Sequence, residues 1–208
     1  MEILILAVVT LPLLTALFLK VANRFLNELL TNFITINAAL LSVAVSFFMF
    51  GYLLLDKFKP IKFELFEWYP SPQIIFEFYL DGLSGVMMIL ISGLSLVIQL
   101  FSTSYMSKDE KYTKYFEYFN FFVFSMLLLV LSGNFLVMFF GWELVGLSSY
   151  LLISFWYEKN SAAKAGNKAF ILNRIGDFGF LIGLMMILNY FETFNFVNIF
   201  ESVLIKQP

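Results

Sequence analysis

The sequence predicts an all-α polytopic membrane protein with about six transmembrane helices and a small β-hairpin on the outer side of the membrane. Hydrophobic residues make up 61% of the 208 residues and charged residues only 13%, against about 25% in ordinary soluble domains. Mean hydropathy is +0.86. The apolar residues also form runs of roughly 18 or more, long enough to cross a hydrocarbon core about 30 Å thick.

The six apolar runs define the predicted helices and one membrane domain covering residues 1–208. They span residues of about 3–20, 30–55, 82–105, 117–132, 135–156 and 163–189. The first run follows Glu2 instead of a basic segment and has no evident small-residue cleavage site, so we expect it to be a retained span. Ser132-Gly133-Asn134 alone separates helices 4 and 5, which predicts a tight antiparallel helical hairpin.

Two shorter segments complete the predicted architecture. Aromatic and branched residues at 62–68 and 74–80 flank a Pro-Ser-Pro turn, which predicts a β-hairpin over residues 61–80. Because the alternation is imperfect, an irregular amphipathic loop remains an alternative. Residues 191–208 form a tail in which 194–205 is amphipathic but too short and polar to span, so we expect it to lie along the outer interface.

The distribution of basic residues predicts the orientation of the chain. With alternating sides, eight basic residues follow helices 1, 3 and 5 and four lie on the opposite side. The eight are Lys20, Arg24, Lys108, Lys111, Lys114, Lys159, Lys164 and Lys168; the four are Lys57, Lys59, Lys62 and Lys206. This places the N-terminus outside, in the intermembrane space or periplasm. The bias toward Phe and Lys favours the mitochondrial inner membrane, with the bacterial plasma membrane as the alternative.

Composition excludes several functions. The chain has no cysteine and no histidine, which removes disulfides, thiolate chemistry, Cys-ligated iron–sulfur clusters and the commonest haem ligand. We therefore expect no redox centre, cofactor or metal in this chain. Its net charge of −2 and scattered basic residues argue against nucleic acid as a partner. Without histidine, a proton relay must use carboxylates, lysines, hydroxyl groups and water.

Glu143 is the leading candidate for such a relay. It lies in the apolar run 136–156 with no other charge nearby in sequence, about 12 Å along helix 5 and so near the middle of the bilayer. Acids at this depth are rare and usually mark ion or proton pathways. No cation of its own helix lies within reach, so we expect its basic partner to come from another polypeptide.

Helix 6 carries three further candidates. Arg174 and Asp177 are three residues apart, so they share a helical face and can pair. Pairing either fixes a helix–helix contact or takes part in proton movement, and the sequence leaves both open. Lys168 is either a snorkelling residue or part of a proton entry path. The glycines at 141, 146, 176, 179 and 183 predict close helix packing.

Several blocks of sequence resemble NADH:ubiquinone oxidoreductase chain 5, the distal antiporter-like membrane subunit of respiratory complex I. They are residues 78–84, 104–106, 125–131, 141–153, 168–170 and 173–179, and the block Gly-Trp-Glu-Leu-Val-Gly-Leu-Ser-Ser-Tyr around Glu143 is highly specific. The resemblance implies an antiporter-like bundle that translocates protons as quinone is reduced elsewhere. It places Glu143, Arg174 and Asp177 at the family's charged positions and Lys168 at a basic position before them.

The resemblance also implies partners. Members of this family are more than twice as long as this chain, which predicts a split or shortened form whose remaining helices come from a separate chain. Other expected partners are the membrane-arm subunits of complex I, including the adjacent antiporter-like subunit, and membrane lipids. Two alternative functions remain: a subunit of a multi-subunit cation/proton antiporter, and a structural membrane-arm component that has lost pumping.

Overall fold

Helices dominate the fold, and one small β-hairpin lies between the second and third of them. The computed structural model describes residues 1–70 and 73–205. Its elements are α1 (Glu2–Ala22), α2 (Glu28–Leu55), β1 (Ile61–Pro70), β2 (Gln73–Leu80), α3 (Gly82–Tyr105), α4 (Tyr112–Val130), α5 (Phe135–Ile153), α6 (Asn160–Phe191) and α7 (Phe196–Ile205). The predicted fold class is confirmed.

Within the described residues, α1, α2, α3, α5 and α6 are long and apolar enough to cross a membrane. The remaining long helix, α4, has 19 residues, about 28 Å at 1.5 Å per residue. It packs against both α1 and α5. Buried side chains from α1 to α5 and the hairpin form one apolar cluster, which includes Val8, Phe78, Leu127 and Val137.

Several helix bounds differ from those predicted. The fourth helix begins at Tyr112 instead of residue 117, because its charged first turns are held by contacts that hydropathy does not report. The Tyr112 hydroxyl donates to Asn32, and the Thr31 and Thr113 hydroxyls lie 3.1 Å apart. The fifth helix ends at Ile153 instead of 156, and residues 154–159 form turns before α6.

The helices create two ends of the bundle, which we name by their features. The lysine-rich face contains the C-terminal ends of α1, α3 and α5 and the N-terminal ends of α2, α4 and α6. The hairpin face is the opposite end, where β1, β2, the α4–α5 turn and α7 lie. Of the basic residues assigned to this second side, Lys206 lies outside the described residues.

The β-hairpin is confirmed, and the alternative of an irregular loop is wrong. Strands β1 and β2 pair antiparallel with register shifts between Glu64 and Phe66 and between Glu67 and Tyr69. At each shift β1 has more residues than β2, as in a β-bulge. The bulges explain the imperfect alternation of the sequence. The predicted turn at residues 71–72 lies outside the described residues.

A buried carboxylate, Glu77, joins the hairpin to two other segments on this face. Its side chain accepts a hydrogen bond from Asn195 Nδ2, and its carbonyl accepts one from Gly133 N at 3.0 Å. Asn134 Nδ2 donates to the Ile75 carbonyl at 2.7 Å. The strand β2, the α4–α5 turn and the segment before α7 are thereby linked through polar contacts.

Burial raises the pKa of the Glu77 carboxyl above its ordinary value. The folded protein therefore binds this proton more tightly than the unfolded chain, and the associated stabilisation is lost as pH rises through the raised pKa. We expect Glu77→Gln to flatten this dependence. Amide hydrogen exchange of the hairpin between pH 4 and 8 measures it, after correction for intrinsic exchange rates. Equal pH slopes in the wild type and the variant would contradict the expectation.

The tail beyond α6 differs in part from the prediction. Its first residue, Phe191, still belongs to α6, which ends where Glu192 adopts the left-handed conformation (φ 56°). Helix α7 then packs onto the start of α5, where the Phe135 and Phe196 rings are 4.7 Å apart edge to face. Phe135 N also donates to the Phe194 carbonyl at 3.0 Å. Residues 206–208 of the predicted tail lie outside the described residues.

The predicted close packing at glycines holds for only part of the set. A Cβ at Gly141 would lie 2.6 Å from the backbone N and Cα of Leu129, and one at Gly146 would lie 3.4 Å from Asn173 Nδ2. At Gly176, Gly179 and Gly183 no described atom lies within 4 Å of such a Cβ. The prediction is wrong for these three within the described residues, because they lie on a face of α6 that neither α5 nor another described element covers.

Candidate proton-handling site

Helix α5 presents Glu143 at mid-depth because its start and its contact with α4 are both fixed. Asn134 caps the helix by accepting a hydrogen bond from Val137 N at 2.8 Å. Two residues before the acid, Gly141 allows the α5 backbone to lie directly against α4. Glu143 is eight residues beyond the first residue of α5, or about 12 Å along its axis.

The Glu143 carboxylate forms an ion pair with Arg174 of α6. No cation of its own helix reaches Glu143, as expected, but the expectation that its basic partner comes from another polypeptide is wrong for this ion pair, because Arg174 belongs to the same chain. Sequence spacing identifies neighbours within one helix, whereas this contact depends on how α5 and α6 pack. A basic partner from another polypeptide is not required for Glu143 to be paired.

Arg174 is shared with a second carboxylate, as its i,i+3 spacing predicts. Arg174 Nε lies 2.9 Å from Asp177 Oδ2. Neither atom has a hydrogen-bond partner among the described residues, so this contact is an electrostatic pair without hydrogen-bond geometry. One guanidinium thus serves two carboxylates, and the group as a whole carries a formal charge of −1.

Trp142 is a member of the site that sequence reasoning missed. Its indole Nε1 donates to Asp177 Oδ1 at 2.8 Å. A tryptophan in an apolar run does not by itself indicate a polar role. The signal that could have identified Trp142 is its position directly before Glu143 in the specific block 141–153. The Phe170 ring lies 4.9 Å from Arg174 Cζ, within the range of a cation–π contact.

The two carboxylates differ in exposure. The side chain of Asp177 is 6% exposed and is held by both Arg174 and Trp142. That of Glu143 is 22% exposed and, within residues 1–70 and 73–205, has Arg174 alone as an ion-pair partner. The Arg174 side chain is 39% exposed. The Glu143 carboxylate is consequently the more accessible of the two and is held by fewer contacts than the Asp177 carboxylate.

Lys168 lies apart from this group. It is exposed and takes part in none of the ion pairs formed between residues 1–70 and 73–205. It lies six residues before Arg174, about 9 Å along α6 toward the lysine-rich face. In the part of the chain that the structure describes, no three His, Cys, Asp or Glu residues are grouped as metal ligands.

Two family models match this chain. One, described as the N-terminus of NADH-ubiquinone oxidoreductase (complex I) chain 5, matches residues 68–116. The other, described as the transmembrane region of NADH:quinone oxidoreductases and Mrp antiporters, matches residues 132–207. The second match contains Glu143, Arg174 and Asp177. The two matches together cover more than half of the chain.

A solved structure shares the fold. The membrane-bound sulfane sulfur reductase, an archaeal respiratory membrane complex, contains a chain that superposes with a TM-score of 0.81 at 22% identity. The superposition covers 94% of this chain and 39% of that one.

Curated relatives match nearly the whole chain. NADH-quinone oxidoreductase subunit L of Rickettsia bellii is 36% identical over 195 residues, which are 93% of this chain and 30% of that protein. NADH-ubiquinone oxidoreductase chain 5 of Acanthamoeba castellanii is 37% identical over 194 residues, which are 92% and 28%. The chain thus spans about 30% of the length of these relatives. It belongs to the family of NADH-quinone oxidoreductase subunit L and NADH-ubiquinone oxidoreductase chain 5, whose antiporter-like membrane fold it shares.

Proposed function

We propose that this chain forms part of a proton-translocating membrane-arm subunit of NADH:quinone oxidoreductase, with Glu143 as its proton-exchanging acid. One observation carries the proposal: a carboxylate at mid-membrane depth whose only ion-pair partner among the described residues, Arg174, is shared with a second carboxylate. The reduction of quinone, which supplies the energy, takes place elsewhere in the complex. We assign no redox centre and no cofactor to this chain.

The energetic cost of the group supports a functional role. Each charge at the centre of a membrane helix costs about 2.5 to 3.5 kcal/mol on insertion scales. A buried ion pair often adds no net stability over apolar residues of similar volume. Three charges and a tryptophan hydrogen bond are therefore a poor way to attach α6 to α5 if attachment is their only purpose.

The geometry suggests how a proton is taken up and released. Arg174 contacts both Glu143 and Asp177, so a small shift of its side chain toward Asp177 leaves Glu143 without a cation. A carboxylate that loses its cation in an apolar environment binds a proton more readily, and it releases that proton when the cation returns. Asp177, held by Trp142 Nε1 at 2.8 Å, stays in place as the second partner of Arg174. We propose that Lys168 lies on the entry side of this exchange.

We further propose the surroundings of the chain. The lysine-rich face lies in the matrix or cytoplasm, and the N-terminus lies in the intermembrane space or periplasm. The membrane is the mitochondrial inner membrane or, alternatively, a bacterial plasma membrane. Other membrane-arm subunits and the helices that complete the family's fold are the expected protein partners, since the matched relatives are about three times as long.

Glu143→Gln tests the proposal in the assembled complex. The amide keeps the size and polarity of the side chain but cannot exchange a proton, so we expect fewer protons translocated per NADH oxidised while electron transfer to quinone continues. The ratio is measured in sealed vesicles, from the initial rate of proton movement and the rate of NADH oxidation.

Glu158→Gln is the matched control. Glu158 also forms an ion pair, with Lys111, but both residues lie on the lysine-rich face outside the helices. This variant is expected to keep the wild-type ratio. An unchanged ratio in Glu143→Gln would instead indicate a structural membrane-arm component.

A cation/proton antiporter subunit is the second candidate, because the family model that contains the site also describes Mrp antiporters. The two candidates differ in what drives proton movement. In vesicles that contain the assembled complex, proton movement that requires NADH supports the oxidoreductase subunit. Proton movement that an imposed sodium gradient drives without NADH supports the antiporter.

A further inference from the structure

A second charged cavity is lined by residues other than those of the Glu143, Arg174 and Asp177 group. It is a cleft of about 560 Å³ between α1, α4 and α5, close to the lysine-rich face. Its lining includes the charged residues Lys20, Lys114 and Glu117 and the apolar residues Leu17 and Phe121. None of these residues takes part in the proposed proton exchange.

The two lysines of this cleft lack carboxylate partners at short range. Between residues 1–70 and 73–205, no ion pair within 4 Å includes Lys20, Lys114 or Glu117. Two cations and one anion leave the cleft with a formal charge of +1, which favours an anionic occupant.

The polarity of the cleft changes with depth in the way a phospholipid requires. Lys20 lies two residues before the end of α1, and Lys114 lies two residues after the start of α4. Both are therefore at the boundary of the membrane. Leu17 is about 4.5 Å deeper along α1, and Phe121 is about 10 Å deeper than Lys114 along α4. Charged groups thus lie at the depth of lipid head groups, and apolar groups lie at the depth of acyl chains.

Aromatic side chains at the mouth fit the same occupant. A smaller cavity of about 180 Å³ adjoins the cleft and shares Lys114, Tyr118 and Leu151 with it. Lys114 Nζ lies 5.6 Å from the centre of the Tyr118 ring. Tyrosine is enriched at membrane interfaces, where an apolar ring and a polar hydroxyl are both accommodated.

We propose that this cleft binds an anionic phospholipid, with its phosphate held by Lys20 and Lys114 and an acyl chain along Leu17 and Phe121. Basic pockets between transmembrane helices at the cytoplasmic or matrix side are suited to acidic lipid head groups. A transmembrane helix of a partner would leave both lysines facing apolar side chains, whereas a phosphodiester neutralises them. The inference depends on the membrane location of the chain and is independent of proton translocation.

Photo-crosslinking in the assembled complex tests the proposal. The complex is placed in nanodiscs of phosphatidylcholine with a small fraction of phosphatidylglycerol that carries a photoactivatable acyl chain. We expect labelled peptides from α1 and α4, including Leu17 or Phe121. Unlabelled phosphatidylglycerol should compete with the label, and additional phosphatidylcholine should not.

Three variants test whether the charge of the cleft determines the strength of lipid labelling. Lys20→Gln/Lys114→Gln should weaken labelling about 30-fold, at about 1 kcal/mol for each basic residue. Glu117→Gln raises the formal charge of the cleft from +1 to +2 and should strengthen labelling. The matched control, Lys159→Gln/Lys164→Gln, removes two basic residues of the same face outside the cleft and should leave the labelling of α1 and α4 unchanged.

Four results would overturn the proposal. They are equal labelling in Lys20→Gln/Lys114→Gln, unchanged or weaker labelling in Glu117→Gln, equal competition by phosphatidylcholine, and labelling only of peptides outside α1 and α4. The Glu117→Gln measurement keeps the proposal testable if the double lysine variant fails to assemble, because Glu117→Gln removes a charge without removing a lysine.

Discussion

Replacement of Arg174 by leucine is expected to abolish proton translocation through this subunit and to lower the amount of assembled complex. The variant removes the cation that Glu143 and Asp177 share and leaves both carboxylates without an ion-pair partner among the described residues. Removing one partner of a buried ion pair costs about 3 to 5 kcal/mol. We expect the lower part of this range, because the Arg174 side chain is 39% exposed.

The double variant Arg174→Leu/Asp177→Leu separates assembly from pumping. It removes the cation together with the more buried of its two partners, and the remaining acid, Glu143, can become neutral by protonation. We therefore expect more assembled complex than in Arg174→Leu alone but no recovery of pumping. Such non-additivity is the signature of side chains that interact directly.

Both variants are measured by the amount of complex in native gels and by proton movement per NADH oxidised in sealed vesicles. Wild-type pumping in Arg174→Leu would contradict the assigned role of the arginine. Equal amounts of assembled complex in the single and double variants would show that an Asp177 without Arg174 does not destabilise the complex.

Replacement of Gly141 by alanine is expected to have the largest structural effect, with loss of the folded subunit. A Cβ at this position would lie 2.6 Å from the backbone N and Cα of Leu129. The backbone of α4 can yield only if α4 and α5 move apart, and this also displaces Glu143 two residues farther along. Overpacking of this kind typically costs about 1 to 3 kcal/mol, and sometimes more.

Gly93→Ala on α3 is the control for this prediction. No described atom lies within 4 Å of a Cβ at Gly93, so the same substitution adds a methyl group without a clash. We expect a normal amount of complex from Gly93→Ala and little or none from Gly141→Ala. Equal amounts would contradict the close approach of α4 and α5.

The sequence predicts the large elements of this fold because their signals are strong and local. Runs of apolar residues identify the spans, and Asn134 with its neighbours identifies the turn between α4 and α5. The start of α4 could not be predicted from hydropathy, because the contact of Thr113 with Thr31 is a tertiary one. The same holds for α7, whose position depends on the contact of Phe196 with Phe135.

The candidate site could be predicted only in part. The charges of Glu143, Arg174 and Asp177 stand out in apolar sequence, and the spacing of the last two indicates their pairing. The ion pair between Glu143 and Arg174 and the hydrogen bond from Trp142 connect different helices. Predicting such contacts requires knowing which side of α6 faces α5. The sequence pattern of α6 does not determine this, because its apolar residues are not confined to one side.

Infrared difference spectroscopy of the working complex tests most directly whether Glu143 changes its protonation state during turnover. We expect a carboxylic acid C=O band that appears when NADH and quinone are added. The band should be missing in Glu143→Gln and retained in Glu158→Gln. An identical set of carboxylic acid bands in the wild type and Glu143→Gln would contradict the proposed protonation change of Glu143.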